Sequence, residues 1–260
     1  MKYLKLYLEY NSISDYNPLG IFDSGYGGLF ILTALRNKFP NWDFVFLGDN
    51  LTAPYGELDS NEVVSLTKSG LDKLSEMYCQ TKIVACNTAC SLLNDFSKDT
   101  IDIITPTINW VRNIEYNYLG VLGTSKTIHL GFYQKSLERV VALSCPDWAS
   151  LVESGEFKTP EGIEIIKSDL QELFSLNSEI DTILLACTHY IILRDIISDM
   201  YPEIKIITQD VIIVNYISGL GIEPSQNGSC RYLTTGSCEE FNKESFELIG
   251  QELESERVTI

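Results

Sequence analysis

Ile83-Val84-Ala85-Cys86-Asn87-Thr88 and, 101 residues further on, Leu184-Leu185-Ala186-Cys187-Thr188-His189 share one grammar: a short apolar run, a cysteine, then small polar residues. Short apolar runs of this kind read as strands buried on both faces, the sort found in parallel sheets. A second pair stands at nearly the same spacing. Leu19-Gly20-Ile21-Phe22-Asp23-Ser24-Gly25 matches Leu119-Gly120-Val121-Leu122-Gly123-Thr124-Ser125 at an offset of 100. Buried parallel strands look alike by composition, so one match alone would carry little. Two matches at a shared offset, one of them with a shared cysteine, imply two similar halves.

Working outward, short apolar runs alternate with longer amphipathic segments, the pattern of parallel strands joined by helices. Strands are expected at 19–23, 44–48, 82–86, 101–105, 140–143, 182–186 and 204–207, with a further one opening at Leu119. Helices are expected at 29–39 and 61–78, the second placing Val63, Thr67, Leu71, Leu74 and Tyr78 on one face. The fold class is therefore α/β, with two pseudo-symmetric domains, each a mostly parallel sheet flanked by helices, and an active site in the cleft between them.

Composition narrows the function. The 260 residues carry 36 acidic against 19 basic side chains, a net charge of −17, which excludes an electrostatic grip on nucleic acid or anionic lipid. With 45% apolar and 11% aromatic residues the chain has enough to build packed cores. The opening MKYLKLYLEY is interrupted by Lys5 and Glu9, no signal-peptide core, and the uncharged stretch 211–222 is too short to span a bilayer. A soluble, cytoplasmic protein is expected. Its seven cysteines are scattered and odd in number, so they read as reduced thiols; with two histidines and no CxxC, no metal site is expected.

In open parallel sheets, ligands gather beyond the carboxyl ends of the strands. Cys86 and Cys187 both stand there, so a small ligand between the halves would have sulfur on two sides. A helix N-terminus following each would lower the thiol pKa from its reference of about 8.5. His189 is placed to exchange a proton with Cys187, and Asp23 to do the same for Cys86. Ser24, Asn87, Thr88 and Thr188 offer short donors suited to an amino acid, although helix capping alone would account for each, as it would for Asp23. Gly25-Tyr26-Gly27-Gly28 fails as a dinucleotide fingerprint because position 30 is Phe30; it reads as a tight turn presenting amides to a small anion. Cys79, Cys90, Cys145, Cys230 and Cys238 read as packing, and His129 as structural.

Together these residues resemble glutamate racemase, of the aspartate/glutamate racemase superfamily. The matching stretches are Gly20 through Leu29, Gly48-Asp49 with Ala53-Pro54-Tyr55-Gly56, and Val84-Ala85-Cys86-Asn87-Thr88-Ala89; then Gly123-Thr124 with Tyr133, Ser144-Cys145-Pro146 with Leu151-Val152-Glu153, Cys187-Thr188-His189-Tyr190, and Tyr232 through Gly236. Two departures stand out: Ile191 where the family usually has proline, and Gln209-Asp210-Val211 where an Asp-Ser or Asp-Pro pair is expected. The resemblance implies cofactor-independent inversion of glutamate for peptidoglycan synthesis, without cofactor or metal. It makes Cys86 and Cys187 the acid–base pair, assisted by Asp23 and His189. Ser24, Tyr55, Gly56, Asn87, Thr88 and Thr188 would hold substrate, with Glu153 near the second thiol. It further implies a first domain of residues 1–111 plus 221–260, a second of 112–220, residues 1–18 as an extension, and a chain able to form a homodimer. The rivals are an aspartate or hydantoin racemase, a pyridoxal-dependent racemase, and a catalytically idle binding homologue.

Overall fold

The computed structural model describes residues 16–93 and 95–260. Most of the expected N-terminal extension, and the stretch weighed as a signal peptide, lie outside the described residues. The strands are β1 (Leu19–Asp23), β2 (Phe44–Gly48), β3 (Lys82–Val84), β4 (Thr100–Asp102), β5 (Tyr118–Gly123), β6 (Val140–Ser144), β7 (Ile180–Leu185), β8 (Lys205–Ile207), β9 (Cys230–Thr234) and β10 (Ser255–Arg257). They form a six-stranded sheet in the order β10-β9-β2-β1-β3-β4 and a four-stranded sheet in the order β6-β5-β7-β8. Every ladder is parallel, so the connections must cross over, and helices fill them. β1 and β2 are buried along their whole length, which is why they read as unbroken apolar runs.

The internal repeat is topological. β2-β1-β3-β4 and β6-β5-β7-β8 have the same spatial order, with β1 and β5 as the central first strands. Equivalent backbone hydrogen bonds recur just past the strand ends. Ala85 N donates to Phe22 O (2.8 Å) and Ala186 N to Leu122 O (2.7 Å); Asp49 N donates to Asp23 O (3.0 Å) and Cys145 N to Gly123 O (2.9 Å). In each sheet the chain steps to one side of the central strand and then to the other. The crevice lies where that order reverses, at the carboxyl ends of β1 and β3 and of β5 and β7. Strands β9 and β10 extend the first sheet only.

Several local expectations are corrected. The strand expected at 101–105 stops at Asp102, whose Oδ1 accepts from Thr105 N at 2.6 Å, and a helix (Ile104–Val111) begins there. Pro106 fits in its first turn, where backbone N–H groups lack intrahelical partners. The strand expected at 82–86 ends at Val84, leaving Ala85 and Cys86 in the crevice-facing loop. Tyr78 lies beyond the helix Ser60–Glu76, with φ 67°, and is exposed rather than part of the buried face. His129 is exposed as well.

Helix Ser60–Glu76 covers β1 through a contact that tolerates no extra atom. A Cβ at Gly70 would stand 2.5 Å from Cδ2 of the Phe22 ring and closer still to Cε2. Helix propensity favours alanine over glycine by about 1 kcal/mol, while overpacking a core costs typically about 1–3 kcal/mol. Gly70→Ala is therefore expected to lower stability by about 1 kcal/mol in urea titration; an increase would mean that Phe22 yields freely.

Candidate active site

All the site residues derived from sequence except Asp23 border one cavity of about 600 Å³ between the two sheets, a volume usual for a small-molecule site. Cys86 is the N-cap of the helix Asn87–Leu92, and Cys187 precedes a 3₁₀ segment, Thr188–Leu193, which runs into the helix Arg194–Met200. Both sulfurs thus come from equivalent strand ends and face the same space. Each cysteine is nearly closed off, at 7% and 6% exposure.

The surroundings of the two thiols differ. Ser24 Oγ donates to Cys86 Sγ at 3.2 Å, and Ala89 N donates at 3.4 Å. Burial, reinforced by the neighbouring Asp23 carboxylate, nevertheless pushes the Cys86 thiol up to about 12, so the expected lowering toward neutrality does not occur. Asp23 is buried behind the cavity wall. Its Oδ1 accepts from Gly25 N (2.8 Å) and its Oδ2 from Thr188 Oγ1 of the other half (3.3 Å). Burial raises its pKa, opposed by His189 and by these donors.

Cys187 has an imidazole for company. His189 Nδ1 stands 3.9 Å from Cys187 Sγ, and its Nε2 pairs with Glu153 Oε1 at 2.8 Å. Burial pulls the His189 pKa down, but the bonds to Cys187 and Glu153 outweigh it and hold it well above the usual histidine value. The imidazolium is therefore favoured here. Among the described residues, no lysine or arginine borders the cavity, whereas Glu57, Asp147, Glu153 and Glu240 do.

The remaining residues are fixed across the crevice. Thr88 Oγ1 lies 3.0 Å from Thr124 Oγ1, and Tyr55 donates its hydroxyl to the buried Asp49 at 2.7 Å. Lys126, from the second half, donates to the carbonyls of Tyr55 and Leu58. Gly56 faces open space. The glycine cluster is not a left-handed turn, since none of its glycines has positive φ. Its role is clearance: a Cβ at Gly27 would clash with Thr188 Oγ1 and lie 2.7 Å from His189 Nδ1.

Sequence reasoning missed Tyr26, Asn50 and Thr124 in the cavity wall. Thr124 was detectable, because the repeat pairs it with Ser24. Gln209, fully buried behind Asn87, was marked only as a departure from the family pattern, with nothing to show what it touches. Cys79, Cys90 and Cys145 are buried away from the cavity wall, while Cys230 and Cys238 are half-buried.

No protein-family model matches the chain. It is 30% identical over 242 residues to the glutamate racemase of Lactococcus lactis subsp. cremoris strain SK11, covering 85% of this chain and 88% of that protein. Among solved structures, a glutamate racemase isoform from Bacillus anthracis aligns with TM-score 0.87 and 26% identity, over 95% of this chain and 98% of that one. Glutamate racemase from Francisella tularensis in complex with D-glutamate aligns with TM-score 0.84 and 25% identity, over 94% and 98%.

The Glu153–His189 pair yields a titration test. Glu153→Gln removes the charge that holds the imidazolium, so the His189 pKa, read from ring-nitrogen NMR shifts, is expected to fall. Because the native pKa is raised, the pair's stabilisation is complete below the unfolded value of about 6.5 and fades as pH rises through the native value. Urea midpoints of the two proteins should thus differ most below pH 6.5 and converge in alkali. A gap that widens with pH would contradict the ion pair.

Proposed function

Because the chain belongs to the glutamate racemase family, we propose that it interconverts L- and D-glutamate without a cofactor, passing a proton between two cysteines on opposite faces of the α-carbon. The observation that carries this reading is the shared cavity, with one sulfur from each of two equivalent strand ends. A division into residues 1–111 plus 221–260 and residues 112–220, with substrate bound between the two, is supported by the strands of the first sheet falling within 19–102 and 230–257 and those of the second within 118–207. The D-glutamate formed feeds peptidoglycan synthesis in the cytoplasm. No helix of the described residues is long and apolar enough to cross a membrane.

Before substrate enters, the proton rests on Cys86, whose thiol is pushed up, while the protonated His189 faces Cys187. In one direction Cys187 removes the α-proton and Cys86 delivers its own to the opposite face. The reverse direction needs Cys86 as thiolate. Ser24 Oγ and Ala89 N then stabilise the sulfur, and the substrate's ammonium supplies a positive charge that no described lysine or arginine brings to the cavity wall. Negative charge developing on the α-carboxylate needs donors already aimed at it; of the polar side chains in the wall, Asn87 and Thr88 can serve, since the Ser24 and Thr188 hydroxyls donate to Cys86 and Asp23. The two sulfurs exchange roles when the direction of the reaction is reversed.

Purified protein is expected to racemise either enantiomer of glutamate with no added cofactor, followed by circular dichroism. Cys86→Ser and Cys187→Ser should each lose about 10²–10⁴-fold, the usual weight of a general acid or base. In deuterated water the product enantiomer should carry deuterium at the α-carbon. Undiminished racemisation by either serine variant, or retention of the original hydrogen in most product, would sink the two-thiol mechanism. Turnover of aspartate in place of glutamate would redirect the substrate assignment.

A further inference from the structure

Gln209 opens the helix Gln209–Gly219 at the point where the chain departs from the family's expected Asp-Ser or Asp-Pro pair, and its side chain is fully buried. It does not border the cavity, yet it is hydrogen-bonded to a residue that does, Asn87. The directions of the surrounding hydrogen bonds follow one from another. Thr107 Oγ1 lies 2.7 Å from the carbonyl of Ile103, one turn earlier in the chain; that oxygen only accepts, so the threonine hydroxyl spends its proton there. Thr107 Oγ1 can then only accept from Gln209, 3.1 Å away, and the glutamine atom facing it must be the amide nitrogen. The other end of that amide, Oε1, therefore faces Asn87 at 2.7 Å, and the asparagine atom there must be Nδ2.

The Asn87 carbonyl oxygen is consequently turned inward. It takes the Tyr133 hydroxyl proton at 2.7 Å and lies 3.1 Å from Gln209 Nε2. Gln209 Nε2 also lies 3.0 Å from the Tyr133 oxygen, so the three side chains close on one another. A flipped Asn87 would set its NH₂ against an N–H donor and its oxygen against an oxygen. One N–H of Asn87 is left without an acceptor in this network, on a side chain that lines the cavity. We propose that Gln209 is a positioning residue, which fixes the Asn87 amide so that the cavity receives from it a hydrogen-bond donor and never an acceptor.

The ligand group facing Asn87 is then an acceptor, such as the carboxylate of an amino acid. This deepens the racemase reading and rests on it for the identity of the ligand, though not for the orientation of the amide. The four groups come from different parts of the chain: Asn87 after β3, Thr107 in the helix Ile104–Val111, Tyr133 in the helix Phe132–Ser136, and Gln209 after β8. The amide's orientation is thereby tied to the packing of the second half against the first.

The test is a double-mutant cycle with a spectroscopic arm. Gln209→Leu removes the anchor at similar volume and should lower kcat/KM for glutamate by about tenfold or more. In the Asn87→Ala background, measured on residual activity, the same change should cost less than about threefold. Equal losses in both backgrounds would show that Gln209 supports the fold rather than Asn87, and would overturn the proposal. Should the leucine variant fail to fold, Gln209→Glu keeps the acceptor for Asn87 but lacks the N–H groups, and should show the same dependence on Asn87. Independently of turnover, ¹⁵N NMR should find one Asn87 side-chain proton exchanging slowly and the other fast, with both fast in Gln209→Leu. Two equally fast protons in the wild type would also overturn it. If the wild type does not turn over glutamate, the racemase reading fails, and the exchange measurement still decides the role of Gln209.

Discussion

Two sulfur atoms can exchange the roles of acid and base about one carbon only if the backbone holds two strand ends against the same small volume. Cys86 and Cys187 stand at two such strand ends because one crossover pattern is repeated. In each half a central parallel strand is followed by neighbours on one side and then the other, and a cysteine stands just past the third strand. The crevice is thus a property of chain order: the residues around the two sulfurs follow β1, β3, β5 and β7, and the loops after β2, β6 and β9 complete the wall. Gly27 lets the two halves approach, since any side chain there would meet Thr188 and His189.

The repeat is symmetric in backbone and asymmetric in chemistry. Thr88 occupies in the first half the place that His189 takes in the second, and Gly123-Thr124 the place of Asp23-Ser24. One sulfur is therefore tended by a hydroxyl, a backbone amide and a buried carboxyl, the other by an imidazole backed by a carboxylate. The two thiols of one cavity thus sit in unlike surroundings.

Much of this was legible in the chain. β1 and β2 fall at 19–23 and 44–48 as expected, because strands buried on both faces leave an unbroken apolar signature. The paired cysteines and their polar followers were visible through the repeat. Three things were not. The helix start at Ile104 depends on the Asp102 side chain capturing Thr105 N, which an apolar run conceals. The acidity of Cys86 is decided by burial, a tertiary outcome that a helix-capping position does not announce. The partners of Gln209, which are Thr107, Tyr133 and Asn87, lie 102, 76 and 122 residues away, so the family position that marks it does not reveal what it bonds.

The cavity wall has a kinetic corollary. A protein of charge −17, whose crevice offers carboxylates but, among the described residues, neither lysine nor arginine, repels an incoming anion such as glutamate over distances far greater than a hydrogen bond. Dissolved salt shortens that reach to roughly 8 Å at physiological ionic strength. Encounter with an anionic amino acid is therefore eased by electrolyte, the opposite of electrostatic steering, and what recognition lacks in long-range attraction must be made up by oriented neutral dipoles at contact.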